Sequence, residues 1–138
     1  MPEFNFISIA LAGLVPLIVG FIWYHPKVMG TTLNNEIAGK ELTDEEMKHG
    51  HHPMVYIMTY VFSFMIAMLI TAILSTHAIE DQNLQHGAFH GFGASLFMGI
   101  PTFAVIAMFE NKSIKYIFIH SIYWMISFII MGAVIGGM

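Results

Sequence analysis

The chain contains no cysteine and no arginine, and only 10% of its 138 residues are charged. Each shortage excludes something. Without cysteine there can be no disulfide, no thiolate metal site, no covalently attached c-type haem and no cysteine nucleophile. Five lysines against nine acids leave a net charge of -4 with histidine neutral, and no basic stripe of the kind that would hold nucleic acid. Soluble domains carry about a quarter charged residues. With 57% hydrophobic residues and a mean hydropathy of +0.70, most of this chain belongs in lipid instead.

What is present is a set of four apolar runs of about twenty residues, at 4-24, 54-74, 87-109 and 116-138. At 1.5 Å per residue such a run crosses the roughly 30 Å hydrocarbon layer, and a helix satisfies its own backbone there. The expected fold is an all-α integral membrane protein, one domain over 1-138, with four transmembrane helices in a compact bundle. Pro16 and Pro101 interrupt the first and third runs and predict kinks. Pro53 suits the first turn of the second. The first run has Glu3 rather than a positive leader and ends in Trp23-Tyr24 rather than small residues, so it reads as a retained span and not a signal peptide.

The lysines lie at 27, 40, 48, 112 and 115, all in the first and third connections. Lysine-bearing short loops stay cytoplasmic, so both termini are expected outside, in a bacterial cytoplasmic membrane. In the first loop Thr43 and Glu46 have capping-box spacing, flanked by Leu42 and Met47. A short amphipathic helix is expected from Asp44, with Asp44 and Lys48 one turn apart.

Gly87, Gly91, Ser95 and Gly99 recur every four residues, and Gly132 and Gly136 repeat that spacing in the last run. Small residues on one helical stripe let another backbone approach closely, either within the bundle or in a homo-oligomer. His86 and His90 share a helix face near the outer end. Two imidazoles four apart can share a metal or a haem iron, given a further ligand, and His77, Glu80 and Asp81 are the nearby candidates. His25, His49, His51, His52 and His120 belong to the inner end, about 20 Å away by helical rise, so one centre cannot use both groups. No Asp, Glu or Lys occupies the middle of a span, so the usual signature of ion-coupled transport is missing.

Gly20 to Gly30 reads G-F-I-W-Y-H-P-K-V-M-G. With F-E-N-K-S-I-K before the last run and G-A-V-I-G-G near the end, the chain resembles a family of small bacterial four-helix membrane proteins, the domain of unknown function 1761. The resemblance covers nearly the whole chain. It implies Gly20, Trp23, Tyr24, Pro26, Gly30, Phe109, Glu110, Tyr123 and Gly132 as characteristic positions, and it implies no reaction. After Gly30 the family often has a lysine and tryptophan where Thr31-Thr32-Leu33 stands here, and the histidines do not look like family features. Trp23, Tyr24, Pro26, Glu110 and Tyr123 share the inner side. Glu110 either pairs in solvent beside Lys112 or folds under the aromatics as a partly desolvated acid.

The leading expectation for function is a non-enzymatic, oligomeric or accessory component of a membrane complex, with the bilayer and other membrane proteins as partners. The alternatives are a channel or transporter for a small solute, lined by the kinked spans, and a metal or haem binder through His86 and His90.

Overall fold

A computed structural model describes residues 4–47 and 50–138. Its regular elements are all helical among the described residues. α1 is Phe6–Trp23, followed by a π turn over Pro26–Gly30 and by α2, Thr31–Ala38. α3 is Pro53–Leu74, and a 3₁₀ turn at Ile79–Asp81 leads to α4, Leu84–Ala94. A second π turn, Ser95–Gly99, joins α4 to α5, Ile100–Phe109, and α6 is Ile114–Gly137. Four helical stretches, 6-23, 53-74, 84-109 and 114-137, are long and apolar enough to cross a membrane.

Local chemistry sets where these helices begin. Asn5 accepts hydrogen bonds from the backbone N–H groups of Ile7 and Ser8 and so starts α1. Asn83 accepts from His86 and starts α4 three residues before the expected span, drawing polar Gln85 and His86 into the helix. Ser113 accepts from Tyr116 and starts α6 two residues early. Hydropathy sees the apolar stretch, whereas the cap decides which N–H is satisfied first.

α6 lies at the centre and packs against every other α-helix. Ile9, Ala12, Ala67, Ile70 and Met131 are fully enclosed. The closest approach is between α4 and α6. A side-chain carbon at Gly87 would meet the Gly132 carbonyl oxygen, and one at Gly91 would meet the Phe128 carbonyl oxygen. Gly136 abuts Gly87 and Asn83 in the same way. The small-residue stripe is therefore spent inside the chain, with Ser95 buried beyond it and Gly99 against the Phe128 ring.

The two prolines are accommodated differently. Pro16 is buried within an unbroken α1, and its carbonyl accepts a 2.7 Å hydrogen bond from the Tyr123 hydroxyl. Pro101 sits in the first turn of α5, directly after the Ser95–Gly99 π turn, where Ile100 N–H reaches back to Ser95. The widened turn keeps the proline ring clear of the preceding carbonyls, which an unbroken α-helix would not.

The first connection holds the capping box expected of it and a helix that was not expected. Thr43 N–H donates to Glu46 at 2.9 Å and Glu46 N–H donates back to the Thr43 hydroxyl at 3.4 Å, so the capping box forms. It closes a turn over residues 44-47, the last described before Lys48 and His49. The helix of this connection is α2, held by buried Leu33 and stopped at Gly39, whose φ of 68° suits glycine. Lys48, the expected partner of Asp44, and His49 lie outside the described residues.

Candidate functional site

Two side-chain clusters lie at opposite ends of the bundle. The first is built where α3 ends and α4 begins. After α3, the His77 N–H bonds the Leu74 carbonyl, and Gln82 donates to the His77 carbonyl at 2.9 Å. These bonds hold His77 against α4. Its Nδ1 lies 3.2 Å from the Ile73 carbonyl. The Thr76 hydroxyl lies equally close to Nδ1 at 3.2 Å, and in the tautomer that donates from Nδ1 to the carbonyl, Nε2 keeps its lone pair.

His86 and His90 are one turn apart on α4, with their Nε2 atoms 3.0 Å apart. The His77 ring centroid lies 4.8 Å from that of His86 and 4.5 Å from that of His90. One ligand nitrogen from each of the three falls within 4.8 Å of the others, and all three residues are half-buried. Tetrahedral zinc with Zn–N bonds of 2.0–2.1 Å needs N···N separations of roughly 3.3 Å. The His86–His90 pair is already near that value, and His77 has up to about 1.5 Å to close. Of the three residues named as further ligands from sequence, His77 joins the pair. Glu80 and Asp81 stay exposed outside it. Three rings converging on one point suit a small ion, not a haem held between two axial ligands on opposite faces.

Beside the triad is a cavity of about 520 Å³. Its polar wall includes Ser8, Thr71, Ser75, His77 and Gln82, and its apolar wall includes Leu74 and Ile135.

The second cluster is at the lysine-bearing end. Trp23 Nε1 donates to the Ile119 carbonyl at 3.1 Å, and Tyr24 O–H meets Nδ1 of His120. Gly20 leaves room for Tyr123, whose hydroxyl is tied to Pro16. Pro26 opens the π turn, and His25 caps it by accepting from Lys27 N–H. At Gly30 any side chain would collide with the Tyr24 carbonyl. The W-Y-H-P turn is thus docked on α6. Phe103 and Tyr116 complete the packing around His120, at 5.5 and 4.4 Å between ring centroids.

Glu110 does not join this group. It is exposed and lines a separate cavity of about 240 Å³ with Glu36, Lys112 and Tyr116, so it does not fold under the aromatics. Lys112 approaches the Tyr116 ring at 5.5 Å, and Lys115 pairs with Glu36 at 4.0 Å. His120 as the partner of Tyr24 was not legible in sequence. A signal did exist: Tyr116, His120 and Tyr123 recur at three- and four-residue spacing, which places them on one face.

Tyr24 packs on Tyr123 and Trp23 bonds to α6 beside them, Pro26 stays exposed in the π turn, and the histidines divide between the two ends. No curated protein and no solved structure matches the chain. A family described as proteins of unknown function, DUF1761, matches residues 7–136, and the chain, with its four membrane-length helices, belongs to that family.

Proposed function

We propose that this chain is a small, non-enzymatic protein of the bacterial cytoplasmic membrane. It holds one divalent transition-metal ion, Zn²⁺ by ligand chemistry, through His77, His86 and His90 at the bundle end opposite its lysines. The observation that carries this reading is the meeting of three imidazole nitrogens within 4.8 Å from two separate elements. Support comes also from the Ile73 carbonyl, which orients His77 in the way metal-bound histidines are oriented by their outer partners. Three neutral nitrogen ligands suit Zn²⁺, Cu²⁺ or Ni²⁺ and leave a fourth position open.

The glycine stripe invoked for oligomerisation is enclosed between α4 and α6. Ile9, Ala12, Ile70 and Met131 are buried at the centre, which gives the channel reading less support than the metal reading.

The test uses untagged full-length protein in detergent, stripped by chelator and titrated with Co²⁺ as a spectroscopic probe, then with Zn²⁺ in competition. One ion per chain should bind with the visible bands of a nitrogen-ligated, low-coordinate site. His77→Ala, His86→Ala or His90→Ala should each weaken binding by about 100-fold or more, above the 10–100-fold typical of outer-shell changes. Replacing His51 and His52 together should leave the tight site intact. Unchanged stoichiometry and affinity in the triad variants would refute the reading. Lowering pH should weaken binding, because protons compete for the ligand nitrogens.

A further inference from the structure

We infer that the cavity beside His77 is a second site, a vestibule that takes a hydrated divalent cation and passes it to the three histidines. This rests on the metal reading above and adds where the ion is received and in what form.

Volume comes first. Six waters at about 30 Å³ each make a hydrated ion of roughly 180 Å³. The cavity holds about 520 Å³, enough for the whole hydrated ion.

The lining is mixed: Leu74, Ile79, Ile135 and Met138 are apolar, and apart from His77 the polar groups are hydroxyls and amides. Thr71 donates its hydroxyl proton to the Ala67 carbonyl at 2.9 Å, Ser75 to Ala72 at 2.8 Å, and Ser8 to Asn5 at 2.8 Å. Gln82 turns its amide N–H to the His77 carbonyl. With their protons spent on backbone, these groups have oxygen lone pairs left for a guest. Metal-bound water is the reverse, a shell of hydrogens seeking acceptors. Neither a lysine nor an arginine occurs between residues 75 and 85, so this loop brings no cationic side chain to hold an anion.

The mouth adds electrostatic direction. Glu80 and Asp81 form an exposed 3₁₀ turn with Ile79, and both Ile79 and the following Gln82 line the cavity. Two carboxylates at an opening concentrate cations from solution, and salt screens that effect.

His77 makes the connection, since its ring belongs to the triad and also borders the cavity. Leu74 and Ile135, both buried, also line the cavity, and of the three histidines only His77 does.

Because the native chain has no cysteine, the vestibule can be plugged at one atom. Ser75→Cys is labelled with a bulky neutral methanethiosulfonate. Stopped-flow mixing with Co²⁺ follows loading, and excess chelator follows release. A plug outside the triad leaves both end states alone, so loading and release should each slow tenfold or more while affinity changes less than threefold. Stripping the label should restore the rates, and the same label on Lys112→Cys at the opposite end should not alter them. A second variant needs no bulk: Glu80→Gln with Asp81→Asn should slow loading several-fold and flatten its salt dependence. Native rates in the labelled Ser75→Cys protein would overturn the vestibule and leave the triad standing. If unlabelled protein binds no Co²⁺ at all, both readings fall.

Discussion

Tyr123 shows how much one side chain can organise here. Its ring occupies the space that Gly20 vacates, and its hydroxyl ties α6 to α1 at Pro16. Tyr123→Phe keeps the ring and removes the bond, which should cost about 1 kcal/mol in unfolding from mild detergent. Gly20→Leu should cost more, because the ring must move. At the surface, Glu46 accepts the Thr43 N–H and the Lys40 ammonium, and these hold its carboxyl below the usual glutamate range. A lowered value means the turn is stabilised above the ordinary glutamate pKa and loosens as pH falls through the lowered one. Amide exchange at residues 43-47, corrected for intrinsic rates, should therefore speed up on acidification, and Glu46→Gln should abolish the dependence. Several of these residues could be named before the fold was seen. His86 and His90 declared themselves by helical spacing, and His77 by its place in the facing loop. His120 was harder, because what selects Tyr24 as its partner is the docking of the W-Y-H-P turn, a contact 96 residues apart in sequence.

At the level of helices, the α4–α6 contact is set by glycine rather than by large side chains. Gly132→Ala would place a carbon against the Gly87 carbonyl, and both partners are backbone, so neither can swing aside. The expected cost is about 1–3 kcal/mol, measurable as a lower unfolding midpoint in detergent. Ala at Gly93, where nothing stands nearby, should be near neutral and serves as the comparison. Helix interiors were legible from hydropathy because lipid imposes a long apolar run. Their starts were less so, since Asn83 and Ser113 act through single hydrogen bonds. α2 was missed because Thr-Thr-Leu-Asn-Asn has weak helix propensity, and no side-chain cap announces it. It continues from the π turn at Pro26–Gly30, which a periodicity count does not register.

Across the whole molecule the two ends differ in charge and in chemistry. One carries the lysine-bearing connections, the docked aromatic turn and Glu110, and the other carries the triad, Glu80 and Asp81. Lysines remain cytoplasmic in short loops, so the triad end should face away from the cytoplasm. In intact cells an impermeant thiol reagent should modify Ile79→Cys and spare Lys112→Cys until the membrane is breached. The reverse pattern would invert the orientation and put the histidines in the cytoplasm.

The π turn at Ser95–Gly99 has a consequence for how this chain tolerates change in length. One extra residue in a turn offsets everything beyond it by about 100° around the helix axis, since each α-helical residue turns through 360/3.6 degrees. Deleting any one residue there would barely shorten the helix, by about 1.5 Å. It would, however, act as a twist. The buried face of α5 at Ala107 would swing toward the lipid and carry Phe103 away from His120, while Pro101 would be driven into the carbonyls behind it. The residue count between Gly91 and Pro101 therefore works as an angular setting for the lower half of the bundle, and relatives that keep this packing should conserve that count even where the residues themselves differ.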